Sequence, residues 1–147
     1  MSLADWARNG WLRPHATTPS QIRDLLAIVD RDLADAARPD LSADWQFGIA
    51  YNAALKLCTI LLYACGYRPE KNLAHYRTLQ SLPLILGGGR ASDADYLDTC
   101  RAKRNTAEYD CAGTVSLSEA AELCEFAGSL RTDVRAWLRK HHAALLA

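Results

Sequence analysis

The sequence predicts an all-α fold, an antiparallel up-and-down bundle of about five helices. Three features predict it. Apolar residues recur at three- and four-residue steps through each long segment, and Ser, Thr and Asn caps with Gly and Pro stops bracket those segments. No stretch alternates with a period of two between turns, so no sheet is expected. The 147 residues read as a single domain, 1–147, in which 1–16 is a short N-terminal helix and arm.

Ser2 to Gly10 is the first helical segment, with Trp6, Trp11 and Leu12 docking its apolar side. Thr17-Thr18-Pro19 then supplies a cap followed by proline in the first turn. Ile22, Leu25, Leu26, Val29, Leu33 and Ala36 form one face of the helix that follows, and Pro39 stops it. Ser42 opens the longest helix and Gly66 closes it. Its apolar arc, from Phe47 through Tyr51, Leu55 and Cys58 to Leu62 and Cys65, is broad enough for a central helix touched from several sides. Asn52, Lys56, Thr59 and Tyr63 make a narrower polar stripe along it.

Asn72 caps a shorter helix through Tyr76, Leu79 and Leu82, which Pro83 kinks or ends. Gly87-Gly88-Gly89 is a connector; no strand precedes it and no Gly-Lys-Ser/Thr follows, so it is no phosphate loop. Ser92 caps the next helix, with Asp93 and Asp95 in its first turn, and that helix runs at least to Asn105. After Gly113, Ser116 or Ser118 starts the last helix, whose seam holds Ala120, Leu123, Ala127, Leu130, Val134 and Leu138. Arg139, Lys140, His141 and His142 make its basic end.

Composition narrows the function classes. Seventeen Lys and Arg balance 17 Asp and Glu, which excludes a globally basic nucleic-acid binder but leaves room for a local patch. Five cysteines, with no Cys-x-x-Cys and none close in sequence to His141-His142, argue against a zinc site and for a reduced, cytoplasmic protein. Asp5 and Arg8 stand where a signal peptide needs an apolar run, and the apolar stretch Leu57 to Tyr67 falls short of the roughly 18 residues of a membrane span.

The chemistry concentrates between Cys100 and Asp110. Arg101, Lys103 and Arg104 lie within four residues, and Asp98, Arg101, Arg104, Asn105 and Glu108 fall within about a third of the helix circumference. One reading is a solvated face, with the Asp98–Arg101 and Arg104–Glu108 pairs contributing about 0.2–0.5 kcal/mol each. The other is an anion site in which Arg101, Lys103 and Arg104 hold a phosphate by charge-assisted contacts. Asn52 and Lys56, one turn apart on the central helix, support that cleft if their helix faces it. Cys100 and Cys111 flank the segment and read as packing residues.

Arg104-Asn105-x-x-x-Tyr109, near the end of the penultimate long helix of an all-α chain, resembles the motif of the HEPN domain family, and the helix order matches over nearly the whole length. The family pattern has Arg, often Asn after it, then three positions and a His. The resemblance implies a metal-independent, cofactor-free endoribonuclease of toxin–antitoxin or defence type, with two motifs facing across a homodimer. In it Arg104 stabilises charge on the phosphoryl oxygens, Asn105 orients a phosphate or the opposite subunit, and the His moves protons.

Here position 109 is Tyr, with an unperturbed pKa near 10 against about 6.5 for His. Two routes would restore a base: Arg101 or Lys103 lowering the pKa of Tyr109, or His75 reaching the cleft across the bundle or the dimer. The alternative is a non-catalytic HEPN-like module that binds nucleotide or RNA, or partners a small nucleotidyltransferase. A helical dimer with no ligand site is the third reading.

Overall fold

Side-chain caps fix where most helices begin. In the computed structural model, which describes Met1–Ala147, α1 (Leu3–Arg8), α2 (Pro19–Ala36) and α7 (Leu117–His141) each start with a capping box built by Ser2, Thr18 and Ser116. The hydroxyl of Ser42 accepts from the Trp45 amide to open α3 (Ala43–Ala64), and Gly66 at φ 86° ends it. The remaining elements are α4 (Ala74–Gln80), α5 (Leu82–Leu86) and α6 (Ala91–Asn105), whose last turn runs into a π-helical turn at Thr106–Asp110. The chain is an all-α helical bundle.

Three local expectations are corrected. A two-stranded antiparallel ribbon exists: β1 (Leu12–Pro14) pairs with β2 (Tyr67–Pro69), Leu12 opposite Pro69 and Pro14 opposite Tyr67. Both strands are three residues long and end on proline, so neither leaves a period-two signature. Asn72 does not cap α4; Leu73 holds that position in the left-handed region at φ 57°, without a side-chain cap bond. Ser92 does not cap α6 either, because the 3₁₀ turn Gly88–Arg90 leads straight into it.

The long helices pack around α3. Hydrogen bonds from Thr17 to the Tyr63 carbonyl, between Asn52 and Asp32, and from Gln46 to the Arg38 carbonyl show α2 and α3 running in opposite directions. Arg131 with Asp30 and Cys124 with the Ala36 carbonyl show the same for α7 against α2. Eleven α3 residues are buried, and ten of them, among them Tyr51, Leu57, Ile60 and Leu61, join a core cluster that also takes Ile22, Leu97 and Leu130. Each such Leu or Ile contributes about 1.5–3 kcal/mol. By length and composition alone α3 would also suit a bilayer, with a mean hydropathy of 1.4, but 61% of that window is buried inside the bundle.

The N-terminal arm anchors α4. Trp6 and Leu12 pack with Leu62 in a second small cluster, and Trp11 meets Trp6 edge-on at 5.8 Å. The Arg77 guanidinium of α4 lies 3.7 Å from the Trp11 ring centroid, a cation–π contact that holds α4 beside α3 and α6.

Candidate functional site

The basic segment of α6 divides across the helix. Arg101 donates from Nε to Asp98 at 2.8 Å, and Arg104 Nε pairs with Glu108 at 2.8 Å. Both pairs are those the helical spacing predicts. Arg104 also donates through Nη1 to the Asn105 side-chain oxygen at 3.2 Å, so Asn105 serves Arg104. Lys103 leaves the group: it bonds Glu119 on α7, on the far side of α6, beside Tyr96, Cys100 and Glu122. The phosphate cluster expected from Arg101, Lys103 and Arg104 therefore keeps its two arginines and loses its lysine.

Lys56, the α3 residue expected to support this cleft, lies on the side of the two arginines. On α4, His75 is exposed at the surface, and its pKa is held below the usual imidazole range by desolvation first, then by the fields of Arg104, Lys56 and Arg101. Those three cations come from α3 and α6, and α4 packs on both. His75 and Lys56, far apart in sequence, thus share one cationic corner with the two arginines, and at neutral pH the imidazole there is neutral.

Sequence reasoning placed Tyr51 on the apolar arc and missed its hydroxyl. The side chain is 1% exposed, its oxygen has no hydrogen-bond partner, and the Arg104 guanidinium lies 5.7 Å from its ring centroid. Burial pushes its pKa up to about 12, although Arg101 and Arg104 pull the other way. The group is therefore a neutral, buried phenol with an unused donor. The only advance signal was a tyrosine among aliphatic residues in a central helix.

Tyr109 is 72% exposed, at the rim of the π-helical turn, with the Arg104 guanidinium 6.0 Å from its ring centroid. Arg101 and Lys103 pair with Asp98 and Glu119. Asn52 turns toward α2 and donates to Asp32 at 2.6 Å, so it is not free in the cleft. Cys100 is buried, and burial raises its thiol to about 11, whereas Cys111 is exposed, contrary to its expected packing role. No protein family, curated protein or solved structure matches the chain.

A groove of about 380 Å³ opens beside the corner, between the first turns of α3 and the end of α6. Ser42, Asp44, Trp45, Gly48, Arg104 and Glu108 line it, and a neighbouring groove of about 210 Å³ shares Trp45, Gly48, Arg104 and Glu108. Asp44 Oδ2 accepts from the Gly113 amide at 2.7 Å and ties the loop after the π turn to α3, while Oδ1 has no donor. Arg104 is thus shared between the cationic corner and the groove. Nowhere do three or more His, Cys, Asp or Glu side chains gather as metal ligands would.

Proposed function

We propose that the chain is a HEPN-like RNA-binding module that holds a backbone phosphate at the corner formed by Lys56, Arg101 and Arg104. The observation that carries this reading is the packing of α4 on both α3 and α6, which sets His75 in the fields of Lys56, Arg101 and Arg104. The two guanidinium forks of Arg101 and Arg104, one helical turn apart on α6, suit phosphoryl oxygens. With a net charge of zero the protein has no broad electrostatic footprint, so binding is focused on one or two phosphates and has a shallow salt dependence.

Fluorescence anisotropy with a short single-stranded RNA tests it. Arg104→Ala and Arg101→Ala each weaken binding about tenfold, as expected for a lost charge-assisted contact to phosphate. Unchanged affinity in both variants would sink the assignment. An NMR titration provides a second readout: the His75 midpoint lies below the usual imidazole value of about 6.5 and moves up in Arg104→Ala, because a cation has gone.

A second reading, metal-independent cleavage, is favoured by the neutral imidazole beside Arg104. In that reaction the 2′-oxygen attacks phosphorus and its proton passes to His75. The P–O5′ bond breaks, and the departing 5′-oxygen takes a proton from the imidazolium, leaving a 2′,3′-cyclic phosphate and a 5′-hydroxyl. Arg104 would stabilise charge on the non-bridging oxygens. His75→Ala with unchanged cleavage would exclude this route; abolished cleavage with intact RNA binding would establish it.

A further inference from the structure

We propose that the groove between the first turns of α3 and the end of α6 binds a nucleobase stacked on Trp45, with the phosphate of the same nucleotide on Arg104. This rests on the phosphate reading above and adds the recognition of a base to it. The ligand class is a nucleotide, supplied either by a single-stranded RNA or as a free mononucleotide.

Charge separates the two subsites. Inside the groove Arg104 faces two carboxylates, Asp44 and Glu108, so a phosphate placed there would meet an excess of negative charge. An uncharged, flat group meets no such penalty. Arg104 also belongs to the corner with Arg101 and Lys56, where an anion is welcome. A nucleotide bridging groove and corner would therefore place its base and its phosphate on opposite sides of one guanidinium.

Shape agrees with charge. Trp45 is 59% exposed, a costly position for an indole, and it lines both adjoining grooves. One turn on, Gly48 sits inside α3, where glycine costs about 0.5–1 kcal/mol relative to alanine. No neighbour requires it, because a Cβ added there would meet nothing within 4 Å. The missing side chain leaves a flat floor beside the indole. The combined opening lies in the size range of small-ligand sites, which begins at about 300 Å³.

The test compares a short oligoadenylate with an abasic ribose-phosphate oligomer of equal length, by anisotropy. Wild type binds the base-bearing oligomer at least about fivefold more tightly, the lower end of base–aromatic stacking. Trp45→Ala and Gly48→Leu, which fills the floor and leaves Trp45 in place, both remove that preference and leave abasic binding unchanged; Trp45→Phe restores most of it. AMP competing off the oligomer names a free nucleotide as sufficient, and AMP failing to compete names the RNA strand; both keep the base on Trp45.

Equal binding of the two oligomers by wild type, or an undiminished preference in Trp45→Ala, overturns the base subsite alone. Failure of wild type to bind either oligomer overturns the phosphate reading and this one with it. Conversion of a dimer to a monomer by Trp45→Ala, with the base preference kept, overturns the proposal and assigns the indole to a subunit interface.

Discussion

Replacing Asn52 with alanine separates a structural role from a ligand-binding one. Asp32 is only 5% exposed, and its carboxylate is satisfied by Asn52 Nδ2 at 2.6 Å and by Arg31 Nε and Nη2 at 3.1 and 3.0 Å. Asn52→Ala strips Oδ2 of its protein donor and leaves Oδ1 to Arg31. A hydrogen bond to a charged group contributes about 1.5–3 kcal/mol. Because Asp32 and Asn52 line an open groove of about 210 Å³, water reaches the vacated oxygen and the loss falls at the lower end, about 1.5 kcal/mol. Urea unfolding should show a lower midpoint at unchanged slope, and a thermal melt a fall of about 3–6 °C. In a double-mutant cycle, Asp32→Ala with Asn52→Ala should recover about 1 kcal/mol of coupling. RNA affinity should stay at the wild-type value. A variant within about 0.5 kcal/mol of wild type, or one that folds normally and loses RNA binding, would refute the placement of Asn52 as a partner of Asp32.

Three further outcomes follow from the geometry. Glu119 accepts from Lys103 and from the Ser116 amide, and these bonds depress its pKa from 4.5 to about 2. Its stabilisation is complete above the unfolded-state pKa and is lost as pH falls through the folded one, so the melting difference between wild type and Glu119→Gln should shrink below pH 4.5 and vanish near pH 2. Gly48→Ala should raise stability by about 0.5–1 kcal/mol in urea, since the methyl enters open space on a helix of normal geometry. Leu61→Ala, by contrast, opens a cavity under the central helix at a fully buried position and should cost about 2–5 kcal/mol.

The features legible in the sequence were those set by neighbours along the chain. Thr18, Ser42 and Ser116 could be read as caps because a capping hydroxyl reaches only its own first turn. The Arg101–Asp98 and Arg104–Glu108 pairs were equally local. Lys103 was not legible: grouped with the two arginines in the sequence, it lies about 100° from Arg104 on the helix and pairs with Glu119 on α7. The β1–β2 ribbon was not, since its partners meet only after the arm folds back along α3. The cationic corner was legible only conditionally, because Lys56 depends on the packing of α3 against α6 and His75 on the docking of α4, and nothing in residues 70–80 states where that helix lands. Leu73 in the left-handed region shows the same limit: nothing in residues 70–73 announces a backbone that a leucine disfavours on its own.

The π-helical turn has a geometric consequence for the motif it ends. Five residues along a regular α-helix rotate a side chain about 140° past its starting direction, so residues spaced like Arg104 and Tyr109 would point to different sides. Widening the last turn by one residue, with the Cys111 amide reaching back to the Thr106 carbonyl at 2.8 Å, brings the two back toward a common side. The turn thus works as a phase corrector. Deleting one residue between Arg104 and Tyr109 would restore the regular winding at a spacing of four, about 40° round the helix, and the aromatic ring would stay on the guanidinium's side without the π turn. The reach of the motif is set by how many residues the helix spends on one revolution as much as by which side chains it carries.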